Sequence, residues 1–126
     1  MSNYKNPTPE QQMAFAKLEH KGPIVMMNLI KYKAGNAKPY FAYLAAVSPL
    51  VEQIGAKVLY AGKPLITLIG EDSGVEWDLV LLVSYPNKEV LMALSAHPEY
   101  PGHLRAVAIE DSRLVALADQ PLGYSE

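Results

Sequence analysis

The feature that most constrains this chain is a pair of predicted strands that are apolar on both faces. The first spans 24–32 and reads IVMMNLIKY, and the second spans 75–85. Large aliphatic side chains occupy both parities of the second strand, namely Leu79, Leu81 and Val83 at one and Val80 and Leu82 at the other. Successive side chains of a strand point to opposite faces, so both faces of such a sheet need to be covered.

Helical periodicity and cap signals place the other elements around these strands. Apolar positions three and four residues apart predict a long helix from Tyr40 to Ile54, kinked at Pro49. Before the first strand, a helix is predicted from Thr8 to about His20. After the long helix come a strand over 57–69, interrupted by Gly62 and Pro64, and a turn over 70–74. The second apolar strand is followed by a helix to Ala96, a break at His97-Pro98, a second helical piece to about Ala108 and a last strand over 113–117.

Without the first helix, the order is strand, helix, strand, strand, helix, strand, which is the ferredoxin-like order. Right-handed crossovers then place both helices on one face of a four-stranded antiparallel sheet, an α+β fold. The chain of 126 residues fits one such domain over 22–118, with an N-terminal extension over 1–21 and a tail over 119–126. The second sheet face would remain exposed in a monomer, so we predict a homodimer through the sheet faces.

Composition excludes several classes of function. The chain has no cysteine, which excludes disulfides, thiolate zinc sites, iron–sulfur clusters and a cysteine nucleophile. The net charge of -2 shows no excess of basic side chains, which a surface that binds nucleic acid would need. Without a secretory signal or an apolar run of about 20 residues, we expect a cytoplasmic location and no membrane partner. Phosphate loops, the GxSxG elbow and HExxH spacing are absent, so we expect no cofactor and no metal.

Distinctive residues recur at spaced positions across 22–118. They are VMMNLIKY at 25–32, Tyr40, Tyr43, Pro49-Leu50, Gly55, LYAG at 59–62, Trp77-Asp78, Tyr85-Pro86, HPEY at 97–100, Arg105 and EDSRL at 110–114. In these positions the chain resembles the bacterial family known as domain of unknown function 1330, within the dimeric α/β-barrel superfamily. The resemblance implies a ferredoxin-like protomer and a barrel-like dimer. The extra helix at 8–20 is a candidate for extending the contact between the two protomers.

The resemblance implies no reaction, because the function of that family is unassigned. Related branches of the superfamily include cofactor-free monooxygenases acting on aromatic compounds, muconolactone isomerases, stress-responsive proteins and haem-containing peroxidases. Fold alone does not choose among these chemistries.

Three polar side chains interrupt surfaces that are otherwise apolar. The amide of Asn28 is a candidate for orienting a substrate carbonyl or stabilising an enolate oxygen, and the alternative is an amide that satisfies backbone groups. Tyr43 and Tyr40 lie one turn apart on the sheet-facing stripe of the long helix, where a hydroxyl could donate a proton or bind a carbonyl. The alternative, favoured more strongly for Tyr40, is a core tyrosine whose hydroxyl reaches the edge.

Two further candidates begin the predicted third strand. Trp77 is a candidate aromatic wall for a flat ligand, and the alternative is a packing anchor near the hairpin. Asp78 points to the opposite face and could act as a general base if it is desolvated. The alternative for Asp78 is an ion pair with an arginine or the capping of a loop.

The second helical piece carries Arg105 and His103. Arg105 is a candidate for binding a carboxylate with two hydrogen bonds, and an ion pair with Glu110 or Asp111 is the alternative. His103 is the best candidate for a general base, because histidine titrates nearest to neutral pH.

These residues support three functional hypotheses. The first is a cofactor-independent enzyme, monooxygenase-like or isomerase-like, acting on a carbonyl- or carboxylate-bearing organic molecule. Its catalytic residues would be Asn28, Tyr43, His103 and Arg105, and its ligand-binding residues Trp77, Asp78 and Tyr40. The second is a dimer that binds a small molecule without turnover, and the third is a purely structural dimer.

Overall fold

The computed structural model describes residues 3–71 and 76–123, which form a sheet with helices packed on it. The strands are β1 (Ile24–Tyr32), β2 (Lys57–Gly62), β3 (Leu79–Tyr85) and β4 (Ile109–Leu117). The helices are α1 (Pro9–Ala16), α2 (Lys38–Gln53), α3 (Lys88–Ser95) and α4 (Gly102–Ala108), and a short 3-10 turn spans Lys33–Gly35. Within these two ranges, no helix is long and apolar enough to cross a membrane.

The sheet has the strand order β2-β3-β1-β4, and its neighbouring strands are all antiparallel. Met27, at the centre of β1, lies opposite Leu82 of β3 and Val115 of β4. β2 and β3 pair as the predicted antiparallel hairpin. This order, with α2 between β1 and β2 and with α3 and α4 between β3 and β4, confirms the ferredoxin-like α+β fold predicted from the sequence.

The hydrophobic core lies between one face of the sheet and the helices. The strands bury alternate residues on this face, namely Ile24, Met26, Ile30 and Tyr32 of β1 and Leu79, Leu81, Val83 and Tyr85 of β3. The predicted apolar stripe of α2 packs against them through Tyr40, Tyr43, Val47 and Leu50. This alternation fixes the strand register, because a slip of one residue would exchange the two faces.

The opposite face of the sheet, called the open face below, carries apolar side chains that are only half-buried or exposed. They are Val25, Met27 and Leu29 of β1, Val80 and Leu82 of β3, and Val115 and Leu117 of β4. The predicted division of β1 and β3 into two apolar parities is therefore confirmed. The helices of one chain cover one parity, and the other remains in contact with solvent.

Several predicted boundaries are wrong. β2 ends at Gly62 instead of running to residue 69, because Pro64 has no N–H to donate to a strand ladder. β3 begins at Leu79, and the start predicted at residue 75 and most of the turn predicted over 70–74 lie outside the described residues. β4 begins at Ile109, which follows α4 directly and is already fully buried. The single helix predicted to contain Pro49 is present as α2.

Polar contacts attach the N-terminal extension to the domain. α1 begins with a capping box: the Thr8 hydroxyl accepts from the Gln11 N–H at 3.0 Å, and the Gln11 side chain accepts from the Thr8 N–H at 2.9 Å. α1 ends at Ala16 instead of near residue 20. The buried ammonium of Lys88, in α3, donates to the carbonyls of Ala16 and Leu18, and so satisfies groups that a helix end leaves without internal partners.

Candidate functional site

Five of the chain's eight tyrosines gather on the helix side of the sheet, and we call them the tyrosine cluster. They are Tyr32 at the end of β1, Tyr40 and Tyr43 on α2, Tyr85 at the end of β3, and Tyr100 between α3 and α4. Ring centroids lie 6.0 Å apart for Tyr32 and Tyr40, 5.4 Å for Tyr40 and Tyr43, and 6.2 Å for Tyr43 and Tyr100. These are distances at which aromatic side chains attract one another.

The hydroxyls of Tyr43 and Tyr100 form a hydrogen-bonded pair at 2.9 Å. Tyr43 is buried and Tyr100 is half-buried, so the pair connects the core to the surface. Within such a pair one hydroxyl donates and the other accepts. The accepting hydroxyl therefore keeps its own proton for a further hydrogen bond.

A tight turn between α3 and α4 positions Tyr100. The Tyr100 N–H donates to the His97 carbonyl at 3.0 Å, and the Glu99 N–H donates to His97 Nδ1 at 3.0 Å. The Gly102 N–H donates to the Tyr100 carbonyl at 2.9 Å. A Cβ atom on Gly102 would lie 3.3 Å from the Tyr100 ring, so the missing side chain leaves room for that ring.

Burial favours the protonated form of three hydroxyls of the cluster. It raises the pKa of Tyr40 to about 12, against the opposing charge of Arg105. Burial, followed by the neighbouring Tyr100, raises the pKa of Tyr43 well above its ordinary value of 10.0. The same two causes raise the pKa of Tyr85 to about 12. At neutral pH these side chains are hydrogen-bond donors and acceptors but not bases.

Arg105 of α4 lies beside the cluster. Its positive charge lowers the pKa of both Tyr40 and Tyr43, although burial outweighs it at each. Its Nη1 donates to the Lys5 carbonyl at 2.6 Å, and the Lys5 Nζ donates back to the Ala106 carbonyl at 3.1 Å. Arg105 thus joins the N-terminal segment to α4 and also supplies positive charge to the tyrosines.

The alternative predicted for Arg105, an ion pair with Glu110 or Asp111, is wrong, because Arg113 holds that position. The Arg113 Nη1 lies 2.7 Å from Asp111 Oδ1, and the guanidinium stacks 4.7 Å from the centroid of the Tyr4 ring. Asp111 also accepts a hydrogen bond from the Tyr4 N–H at 2.8 Å. In the described part of the chain, Arg105 has no carboxylate partner.

Asn28 lies on the helix side of β1, half-buried between two core residues of that strand. Its Nδ2 donates to the carbonyls of Met26 and Leu81 at 3.2 and 3.3 Å. These are backbone contacts of the kind that the structural alternative for Asn28 describes. The side-chain Oδ1 has no donor among residues 3–71 and 76–123, so this oxygen has the capacity to accept a hydrogen bond from a ligand.

The structure does not bring Trp77, Asp78 and His103 into the centre of the cluster. Trp77 and Asp78 precede β3 instead of beginning it, and the Trp77 ring stacks 5.1 Å from the Arg113 guanidinium. Asp78 Oδ2 accepts from the Tyr32 N–H at 2.8 Å, where the pairing of β1 with β4 shifts register. His103 is exposed on α4. Among the described residues, no three acidic or histidine side chains are placed to hold a metal ion.

The sequence prediction did not include Tyr32, Tyr85 and Tyr100 among the site residues. Tyr32 and Tyr85 continue the buried parities of β1 and β3, and those parities were the available signal. Tyr100 lies in an irregular segment after Pro98, where no periodicity indicates which side chains point inward. The structure thus groups two predicted tyrosines and Arg105 with three tyrosines from two strand ends and a turn.

These features define a class of protein: a small α+β protein with a ferredoxin-like sheet and a tyrosine cluster on its helix side. No protein-family model and no curated protein matches the chain. Two crystal structures of RPA0582, a protein of unknown function from Rhodopseudomonas palustris, match it at 30% identity, one of them of the methylated protein. Their TM-scores are 0.87 and 0.85, and the matches cover 98% and 95% of this chain and 100% of each matched chain. The chain therefore belongs to the family of RPA0582.

More distant structures share the fold alone. A dabb family protein with a ferredoxin-like fold from Mesorhizobium loti matches at 11% identity and a TM-score of 0.53, over 80% of this chain and 100% of that chain. A dimeric ferredoxin-like protein of unknown function from Thermobifida fusca matches at 16% identity and a TM-score of 0.53, over 81% of this chain and 95% of that chain. The chain is similar to proteins that are themselves uncharacterised.

Proposed function

We propose that this protein binds a small organic molecule through a carbonyl or carboxylate oxygen at the tyrosine cluster. The observation that carries the proposal is the hydroxyl pair of Tyr43 and Tyr100, 2.9 Å apart. One hydroxyl proton of the pair is available to an acceptor, and burial keeps Tyr43 protonated at neutral pH. The nearby Arg105 cation favours an oxygen that carries negative charge.

The surroundings of the pair suit a ligand with an apolar body. The half-buried ring of Tyr100, with the Tyr43 ring packed edge-on against it, supplies aromatic surface, and binding sites for small molecules combine such surface with a few polar groups. Asn28 is on the same side of the sheet, and we assign its Oδ1 the role of accepting from a ligand N–H or O–H. We assign no ligand contact to Trp77, Asp78 or His103 in this proposal.

A binding titration with single-atom variants tests this proposal. Small aromatic and aliphatic carboxylates and ketones are screened by calorimetry against the wild-type protein. Tyr100→Phe removes one oxygen, and we expect it to weaken the best ligand about tenfold, the effect of one hydrogen bond to a charged group. Tyr60→Phe is the matched control, because Tyr60 is 61% exposed and lies outside the cluster. Equal affinities of Tyr100→Phe and the control would contradict the proposal.

A cofactor-independent enzyme, monooxygenase-like or isomerase-like, is the second candidate. The same protonated hydroxyl pair favours it, because a donor directed at a carbonyl oxygen stabilises an enolate or oxyanion as charge develops. Asn28, Tyr43 and Arg105 would bind and polarise the substrate, and His103 would have to move the proton. Mass spectrometry of the ligand recovered after incubation in air separates the two candidates, since binding alone returns it unchanged.

We also propose that the family of RPA0582 falls within domain of unknown function 1330 and that this chain forms a homodimer through its open face. The support for the dimer is the row of half-buried aliphatic side chains on β1 and β3, because a row of apolar side chains that one chain leaves in contact with solvent is typical of an interaction surface. Native mass spectrometry at micromolar concentration tests it. A monomer under those conditions would contradict the homodimer and leave the ligand site in place.

A further inference from the structure

The segment 63–70, called the arm below, follows β2 and exposes four large aliphatic side chains. Leu65 is 82% exposed, Ile66 78%, Leu68 89% and Ile69 92%. Isolated apolar side chains are common on protein surfaces, but four within five residues form a contiguous patch. A patch of this kind marks a surface that another molecule covers.

The composition of the arm narrows the choice of partner. The sequence from residue 64 to residue 70 is PLITLIG, with no charged side chain between Lys63 and Glu71. Nucleic acid, an acidic peptide or an anionic membrane would be matched by a positive excess, and the arm has none. The apolar side chains occupy both odd and even positions, so an extended arm needs cover on two sides.

A second apolar surface of the same chain is also unpartnered, and it is continuous with the arm. Gly62, the residue at which the arm leaves β2, pairs with Val80, and Val80 belongs to the open face. The exposed side chains of the arm show that the arm does not fold back onto its own open face. Two apolar surfaces that do not meet within one chain can meet twice in a two-fold dimer.

We infer that the arm packs against a second copy of this chain and extends the contact between the two open faces. This inference rests on the homodimer proposed above and goes beyond it by assigning residues 63–70 to the interface. A stable interface buries about 800 Å² per partner, whereas the largest apolar patch of an ordinary monomer is about 300–600 Å². The open face and the arm together reach the required size more readily than the open face alone.

The test measures the dimer dissociation constant by analytical ultracentrifugation. The double variant Leu68→Lys with Ile69→Lys places a charge on each side of the arm, and we expect its dissociation constant to rise about tenfold or more. The variant should fold, because both side chains are exposed within one chain, and circular dichroism checks this. Leu122→Lys is the matched control, an aliphatic side chain that is 69% exposed and lies outside the arm. Its dissociation constant should equal that of the wild type.

A labelling measurement gives an independent readout. The chain contains no cysteine, so Thr67→Cys introduces a single thiol into the arm. We expect a thiol reagent to react more slowly with the concentrated protein than with protein diluted below the dissociation constant. Equal rates for a protein shown to be dimeric at the higher concentration would overturn the assignment of the arm to the interface.

The outcomes separate the two proposals. A wild-type protein that is monomeric at every concentration would overturn both the homodimer and the role of the arm. A wild-type dimer whose dissociation constant is unchanged by the double lysine variant would overturn the role of the arm alone. Sedimentation of the wild-type protein with neutral phosphatidylcholine vesicles, lost in the double variant, would assign the arm to a lipid surface and also overturn the inference.

Discussion

Replacing Lys88 by Met tests whether one buried ammonium attaches the N-terminal helix to the domain. Lys88 is only 7% exposed, and its Nζ donates to the carbonyls of Ala16, at 2.7 Å, and Leu18. Met keeps most of the apolar stem and removes the charge and the donors. The variant therefore isolates the two hydrogen bonds from the packing of the side chain.

The structure allows the size of the effect to be worked out. A hydrogen bond to a charged group contributes about 1.5–3 kcal/mol, so two bonds set an upper limit of about 3–6 kcal/mol. Ala16 and Leu18 are exposed, so water replaces part of what the ammonium supplies. Lys88 is also the first residue of α3, where a positive charge opposes the helix dipole by about 0.3–1 kcal/mol. We expect Lys88→Met to lower the free energy of unfolding by about 2 kcal/mol.

Urea unfolding, followed by the fluorescence of the single tryptophan, Trp77, measures this change. The midpoint should fall without a change in slope, because the surface exposed on unfolding is nearly the same. Lys17→Met and Lys21→Met are matched controls, since both side chains are exposed, and each should stay within about 0.5 kcal/mol of the wild type. A Lys88→Met variant as stable as these controls would refute the argument.

Four further predictions follow from particular contacts. Asp111→Asn should make the free energy of unfolding depend less on pH in acid. Burial by itself raises the pKa of Asp111, but hydrogen bonds from Tyr4, Arg113 and Ser112 hold that pKa below its ordinary value of 3.8. The stabilisation is therefore complete above about pH 4 and is lost as the pH falls through the lowered value, which urea unfolding at several pH values measures. Tyr85→Phe should reduce the alkaline loss of stability, because burial raises the pKa of Tyr85 to about 12. An unfolded tyrosine ionises near pH 10, so Tyr85 lowers the free energy of unfolding of the wild type by up to roughly 2–3 kcal/mol as the pH rises from about 10 to about 12. An equal loss of stability above pH 10 in Tyr85→Phe and in the wild type would contradict the assignment. Thr8→Ala should destabilise α1 by about 1 kcal/mol, seen as faster hydrogen exchange of its amides, whereas Thr67→Ala should leave them unchanged. Gly102→Ala should weaken ligand binding with little loss of stability in urea unfolding, because the new Cβ displaces the Tyr100 ring while alanine favours the helix.

The fold could be predicted because its signals are periodic. The alternation in β1 and β3, and the spacing of three and four residues along α2, each report which side chains face the core. Boundaries were less predictable, because they depend on contacts between distant residues. α1 ends at Ala16, whose carbonyl binds the ammonium of Lys88, 72 residues away along the chain. No local pattern around Ala16 contains that information.

The candidate site shows the same division. Tyr40 and Tyr43 could be placed toward the sheet, because they belong to the apolar stripe of a helix. Their partner Tyr100 could not, because it is held by a turn whose hydrogen bonds involve His97 and Gly102. The position of Arg105 beside the tyrosines likewise depends on the N-terminal segment, whose Lys5 carbonyl it binds.

The protonation state of the tyrosines restricts the chemistry that the cluster can perform. Tyr40 has a pKa of about 12, raised by burial, so its hydroxyl keeps its proton throughout the physiological range, as does that of Tyr43. These groups can stabilise charge on a ligand oxygen, but they cannot remove a proton from carbon at neutral pH. An activity that depends on them should therefore persist with rising pH until the tyrosines ionise or the fold is lost, above about pH 10. An acid limb would mean that a group outside the tyrosine cluster must be deprotonated for turnover, the role of a general base, and His103→Gln would then be the variant that removes the candidate for that role.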